Sequence, residues 1–230
     1  MIERPARIFV TGASGYVGRA LVPRLLGRGH LVTVLLRRGS EQCRPSGLKV
    51  VLADALNASS FVNEIAPCDT LVHLVGVPRP APWKAAQFRA VDLVSVKAAV
   101  TAAVNTGIRH FVYVSVAQPA PVMKAYIAVR SECEALIRQS GLSATILRPW
   151  YMLGPGHRWP AVLLPAYWLL ERFASTRDGA RRLGLLSLEQ MVCALVWATE
   201  HPSDRIRIMT VPEIRDLTAA VETPVPGVAR

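Results

Sequence analysis

Thr11-Gly12-Ala13-Ser14-Gly15-Tyr16-Val17-Gly18 is the stretch of sequence that decides the fold. It follows the short apolar run Arg7-Ile8-Phe9-Val10, and helical spacing begins at Tyr16 and runs to Gly27. A strand that ends in a glycine-rich loop and passes into a helix brings backbone N–H groups and the positive end of a helix dipole to one point. That arrangement replaces the hydration of a phosphate. Gly12 permits the tight turn, Gly15 removes a side chain where backbone must approach phosphate, and Gly18 lets the helix pack closely on the strand. Ser14 adds a hydroxyl donor. A glycine triplet alone is a weak signal, and a structural turn without a ligand is the plain alternative. Its position between a strand and a helix favours the phosphate.

Outward from that loop, strands and helices alternate. Leu31–Leu36 is a continuous apolar, partly β-branched run, as a strand buried on both faces should be. Leu48–Leu52 repeats it, followed by Asp54 and a short helix near Ser59–Ile65; Thr70–Val75 is the next strand. Pro78-Arg79-Pro80-Ala81-Pro82 reads as a rigid loop, and Lys84–Thr106 as a long helix closed by Gly107. Arg109–Ser115 is a strand, Ala125–Gln139 a helix and Ser143–Leu147 a strand. This alternation predicts an α/β fold: a doubly wound parallel sheet of the Rossmann type.

The character changes after Pro149. Gly154-Pro155-Gly156 is a break, an apolar aromatic helix follows over 159–173, and Ser187-Leu188-Glu189-Gln190 is a capping box opening a helix to Thr199. Arg205–Val211 reads as a last strand before a frayed Pro/Val-rich end. The expectation is a single domain over 1–230, with a core over about 1–150 and a small helical C-terminal cap over about 151–230.

Composition narrows the function classes. Half the residues (51%) are apolar, which excludes a disordered chain. The net charge of +11 comes mostly from dispersed arginines with no basic run longer than a pair, so no nucleic-acid partner is expected. Cys43, Cys68, Cys133 and Cys193 show no metal-ligand or redox spacing, and no leader of the secretory type opens the chain. A reduced, cytoplasmic protein without a metal is the expectation.

A loop of this kind in a βαβ unit predicts a dinucleotide. After the second strand, NAD binders usually place a carboxylate on the adenine ribose; here stand Arg37 and Arg38, which suit a 2′-phosphate and favour NADP over NAD. Asp54, after the third strand, either meets the adenine edge or caps a helix. Gly76 would let a ribose lie close to the backbone or serve a simple turn, and Pro149-Trp150-Tyr151-Met152 reads as a hydrophobic hinge into the cap. His73 and His110 read as core histidines; Asp92 and Lys97 read as solvated residues of the long helix.

Three further stretches join the glycine loop: Thr106-Gly107-Ile108-Arg109-His110-Phe111-Val112-Tyr113-Val114-Ser115, Tyr126-Ile127-Ala128-Val129-Arg130-Ser131-Glu132, and Leu147-Arg148-Pro149. Together they resemble the short-chain dehydrogenase/reductase superfamily in its extended and atypical branches, which include the epimerase/dehydratases. The likeness is greatest to NmrA-like proteins and the accessory subunit of respiratory complex I, and it covers nearly the whole chain. The resemblance implies acid–base chemistry by a Tyr-x-x-x-Lys pair and a serine at the end of the fifth strand, and a wall for the nicotinamide amide at Pro149-Trp150-Tyr151-Met152 after the sixth. Tyr126 and Ser115 match; position 130 is arginine where that pattern has lysine, an exchange that keeps the charge and changes the geometry. Two functions stay open: an NADP(H)-dependent oxidoreductase acting on a small carbonyl, hydroxyl or sugar-nucleotide-like substrate, and a non-catalytic sensor or accessory binder. The 159–173 helix has three readings: burial, a substrate lid, or a contact with a membrane or a protein.

Overall fold

Along Arg7–Thr11 (β1), Ile8 and Val10 enter one half of the core and Phe9 the other, and all three are fully buried. A strand buried on both faces belongs in a parallel sheet with helices on each side. The computed structural model, which describes residues 5–40, 48–156 and 172–222, has that architecture. The further strands are Leu31–Leu36 (β2), Lys49–Leu52 (β3), Thr70–His73 (β4), His110–Val114 (β5), Ala144–Leu147 (β6), Tyr151–Leu153 (β7), Leu185–Ser187 (β8) and Ile206–Met209 (β9). Among the described residues, seven of them form one parallel sheet in the order β3-β2-β1-β4-β5-β6-β9, and β7 pairs with β8 in a second.

Helices cover both faces. On the Ile8 side lie Tyr16–Gly27 (α1), then Leu188–Glu200 and Val211–Glu222 near the C-terminus; Leu21, Leu25, Met191, Leu195 and Ile214 fill that half of the core. On the Phe9 side lie Val62–Ile65 (α2), a helical run from residue 85 to residue 106 and Lys124–Gln139; Ile65, Phe88, Val96, Phe111 and Ile137 fill that half. Each such side chain, fully buried, contributes about 1.5–3 kcal/mol, so the two apolar faces dominate the stability of the sheet. The run from 85 to 106 comprises Ala85–Gln87 (α3), a π-helical segment Phe88–Leu93, and Val94–Thr106 (α4), and Gly107 closes it in the left-handed conformation (φ +68°). Lys124–Gln139 is α5, Ala174–Arg182 is α6, and the two C-terminal helices are α7 and α8.

The predicted doubly wound parallel sheet is the observed one. The Ser187–Gln190 capping box forms at the head of α7 with both of its hydrogen bonds. Three features differ from expectation. The last third holds, besides the expected last strand (β9, at the edge of the main sheet), a short strand, β8, that pairs with β7. Beyond β9 the chain forms α8, a helix the sequence analysis does not assign, where Glu213 turns back onto the Thr210 amide (2.6 Å) and hydroxyl; the Pro/Val-rich end after residue 222 lies outside the described residues. Asp92 is fully buried rather than solvated: it lies in the π-helical segment and its carboxylate meets the Val77 amide and the Arg130 guanidinium. The expected 159–173 helix lies almost wholly outside the described residues; of it only Arg172 and Phe173 are described, both exposed. No helix among the described residues is long and apolar enough to cross a membrane.

Candidate functional site

The sheet order reverses between β1 and β4, and in doubly wound sheets the crevice at the carboxyl end of such a pair is where ligands sit. The glycine loop leaves β1 at that point. Gly12 has φ +74°, and a Cβ there would lie 2.7 Å from the Leu74 carbonyl carbon, so the loop rests directly on the end of β4. A Cβ at Gly18 would stand 2.6 Å from the Ala13 Cα and 2.7 Å from the Ala13 oxygen, inside the loop's own backbone. The Gly15 amide donates to the Gly12 carbonyl at 3.0 Å, and Arg19 Nε holds the Ser14 carbonyl at 2.9 Å. Helix α1 begins with no side-chain cap and no acid in its first turn. Its first amides therefore face outward without a competing carboxylate, as an anion requires. The Tyr16 hydroxyl reaches Gly154, where a side chain would collide with it, and Val17 packs against the core.

Arg37 and Arg38 are exposed on the turn that follows β2, the strand whose Leu35 pairs with Thr11. The turn is closed by the Ser40 amide on the Arg37 carbonyl (3.0 Å) and by Gly39 at φ +86°. Asp54 is exposed, with Oδ1 accepting the Leu56 amide at 2.9 Å. Pro149 is buried, and its carbonyl accepts the Ala117 amide at 2.8 Å.

On the other side of the switch, beyond β4, a Cβ on Gly76 would meet Arg130 Nη2 at 2.5 Å and Asp92 Oδ1 at 2.8 Å. Arg130 is buried. Its Nη1 donates to Tyr113 Oη (3.1 Å) and to the Val114 carbonyl (2.8 Å), and its Nη2 to Asp92 Oδ1 (3.4 Å). Asp92 Oδ1 also accepts the Val77 amide at 2.8 Å. Burial pushes the Asp92 carboxyl up, against the pull of Arg130 and the Val77 N–H. Tyr126, one helical turn before Arg130, is half-buried; its ring lies 5.0 Å from the guanidinium and 4.9 Å from the Phe88 ring. Burial raises the Tyr126 phenol above its ordinary 10, and the adjacent Arg130 charge only partly offsets this.

Ser115 is buried just past the end of β5 and donates its hydroxyl hydrogen to Glu134 Oε1 at 2.6 Å. Glu134 is the centre of a second cluster that the sequence reading did not single out. It also accepts from Arg148 Nε (2.9 Å) and Nη2 (2.6 Å), Arg138 Nη2 (2.8 Å) and Gln118 Nε2 (3.0 Å). A signal was present: residues 126, 130 and 134 fall on one helix face at i, i+4, i+8. Burial alone would raise the Glu134 carboxyl, but Arg148, Ser115 and Arg138 together bring it below its ordinary 4.5. Glu134→Ala is therefore expected to cost about 1–3 kcal/mol, by removing the buried acceptor of the Ser115 hydroxyl and of the partly exposed Arg148. Because the folded pKa is depressed, the wild-type advantage is complete above the ordinary value and shrinks as pH falls through the folded one. Urea denaturation of both proteins from neutral pH down to about pH 3 checks this.

The cluster at Gly76 also bears on a cofactor. Arg130 Nε and Asp92 Oδ2 are buried without a hydrogen-bond partner, one a donor and one an acceptor. The loop suits a pyrophosphate; an orphaned donor and an orphaned acceptor in one cluster suit the hydroxyls of a ribose. The residues present fit a dinucleotide.

Comparison with known proteins agrees. A family model described as NAD(P)H-binding matches residues 12–158. Among curated proteins, the chain is 26% identical over 170 residues to the 4-hydroxy-2-methyl-3-oxo-4-farnesyl-3,4-dihydroquinoline-1-oxide ketoreductase of Stigmatella aurantiaca, covering 64% of this chain and 51% of that one. It is 28% identical over 151 residues to the ceramide reductase of Caulobacter vibrioides, covering 65% of this chain and 47% of that one. The chain thus spans about half the length of these curated relatives. Among solved structures, the Bordetella bronchiseptica enzyme WbmH in complex with NAD+ shares the fold, with a TM-score of 0.67, 17% identity, and coverage of 98% of this chain and 85% of that one.

Proposed function

The chain belongs to the NAD(P)H-binding family, and from that premise we propose that it is an NADP(H)-dependent reductase acting on a carbonyl of an apolar, lipid-like substrate. The observation that carries this reading is the placement of Tyr126, whose ring lies 5.0 Å from the buried Arg130 guanidinium, one helical turn along α5 and against Gly76. A phenol is protonated at neutral pH and burial keeps it so, which suits a proton donor in reduction. The substrate class is taken from two relatives whose names give a farnesylated quinoline oxide and a ceramide as the molecules reduced.

In this reading the amides of Gly12 to Gly18, with the Ser14 hydroxyl, hold the pyrophosphate. Arg37 and Arg38 hold the 2′-phosphate, Asp54 and Pro149 border the adenine and nicotinamide ends, and the Gly76 backbone lies along the ribose. When bound, the nicotinamide supplies the hydride. Tyr126 Oη donates a proton to the oxygen of the carbonyl being reduced, and Arg130 stabilises the phenolate left behind. Ser115, its own hydrogen committed to Glu134, has only lone pairs to offer; its part is to accept a hydrogen bond at the end of β5.

Arg37→Asp is the test of cofactor choice. It puts a carboxylate where the dianion would sit, and NADPH affinity is expected to fall by about 100-fold while NADH affinity changes little. Fluorescence titration with both nucleotides reads it, and equal loss for both removes the 2′-phosphate role. A second reading, a non-catalytic NADP(H) binder, is favoured by the engagement of Arg130 with Tyr113, Val114 and Asp92. A panel of long-chain and prenylated ketones separates the two: sustained NADPH oxidation with any of them excludes the binder, and none with all of them excludes the reductase.

A further inference from the structure

A buried line of hydrogen bonds runs from the glycine loop to Asp92, and its direction can be read atom by atom. Ser95 Oγ donates to the Asp92 backbone carbonyl at 3.0 Å, so its one hydrogen is spent. Toward His73 Nε2, 3.3 Å away, it acts only as an acceptor, and Nε2 therefore carries the ring proton. That leaves Nδ1 bare, to accept from Thr11 Oγ1 at 2.9 Å. Thr11, His73, Ser95 and Asp92 are all at most 1% exposed, so no solvent completes or competes with these bonds. Burial, assisted by the nearby Arg130 charge, takes the His73 pKa down to about 3, and the ring is neutral at any working pH.

The ends of this line matter. Thr11 immediately precedes Gly12 and pairs with His73 across β1 and β4. Asp92 sits in the π-helical segment, and its carboxylate holds Arg130. Such widened turns are frequent at functional sites. A leucine at position 73 would suit the packing between Phe111 and Tyr113, whose rings lie 6.2 and 6.1 Å away. It would leave the Thr11 hydroxyl without its acceptor, and the Ser95 oxygen without its donor, in the core.

We infer that His73, in its neutral Nε2–H form, is a positioning residue that ties the end of β1 carrying the nucleotide loop to Asp92, and through Asp92 to the Arg130 guanidinium beside Tyr126. The inference rests on the roles given to Tyr126 and Arg130 above, so its test includes a readout that needs no turnover.

Long-range 15N–1H spectra of the histidine rings should show His73 with a bare Nδ1 and a protonated Nε2, unchanged from about pH 5 to 8. The buried Nε–H of Arg130 reports the guanidinium directly. Its signal should move in His73→Leu and Ser95→Ala, and with it the kcat for ketone reduction should fall about tenfold while the KM for NADPH stays within about twofold. His73→Gln, whose amide can accept at one end and donate at the other, should recover the Arg130 signal and most of the rate lost in His73→Leu. If His73→Leu does not fold, Ser95→Ala carries the same test. A ring protonated on Nδ1, or an unmoved Arg130 signal in the variants, overturns the inference. Shifted signals in a protein that reduces no ketone would leave His73 as the tie and remove the reductase reading instead.

Discussion

Gly12→Ala is expected to abolish nucleotide binding and to destabilise the domain by about 2–4 kcal/mol. The residue holds φ +74°, a conformation in which an L side chain is strained. Its added methyl would meet only backbone: the Leu74 carbonyl carbon at 2.7 Å, the Leu74 oxygen at 2.9 Å and the Val75 nitrogen at 2.9 Å. Backbone just past the carboxyl end of a central strand, held there by the Leu74 amide on the Thr11 carbonyl, has little freedom to move aside, so the loop must lift off β4, and the amides proposed to face the phosphate lift with it. Affinity for NADPH should fall by at least about 100-fold, a loss of roughly 3 kcal/mol. Gly29→Ala is the control. Gly29 has φ +83° but nothing within 4 Å of a Cβ, so it should lose only about 1 kcal/mol of stability and keep its affinity. Urea denaturation with parallel nucleotide titration separates strain at any left-handed glycine from damage to this particular loop.

Tyr126→Phe should lower the rate of carbonyl reduction by about 10²–10⁴-fold and leave NADPH affinity within about twofold. The substitution removes one oxygen and its hydrogen and keeps the ring that packs on Phe88 and under Arg130. The wild-type pH profile carries the same information. A proton donor whose pKa lies above 10 is protonated across the neutral range, so the reduction rate should be level there and decline only as the phenol ionises at alkaline pH. Retained turnover in Tyr126→Phe, or a rate that rises with pH through neutrality, would take the proton-donor role away from this residue.

Both predictions draw on features of unequal legibility in the sequence. The geometry of the glycine loop is legible, because backbone that packs this closely on backbone needs absent side chains, and absent side chains show in the letters. The sheet was legible for a similar reason: runs such as Leu31–Leu36 are apolar on both faces, which only a doubly covered strand requires. The short strands β7 and β8 were not, since three residues carry no period to read. Helix α8 was missed although Thr210-Val211-Pro212-Glu213 has the acid three residues after a threonine that marks a helix start. Asp92 was misread because a regular helical period fails across a π-helical turn, and a carboxylate amid Val91, Leu93 and Val94 then looks like an exposed position. For Arg130, the spacing placed it on the face of Tyr126, but nothing in the letters told that its fork would close on Asp92, Tyr113 and the Val114 carbonyl. Long-range partners of a long side chain are set by the packed fold and leave no local trace.

The claim beneath all of these is that the turn after β1 is built to seat a nicotinamide dinucleotide. Calorimetric titration of the purified chain with NADPH and then NADH puts that directly to the test. Saturable binding of one nucleotide per chain, tighter for NADPH, is the predicted result; a folded protein that takes up neither at about 1 mM would contradict it.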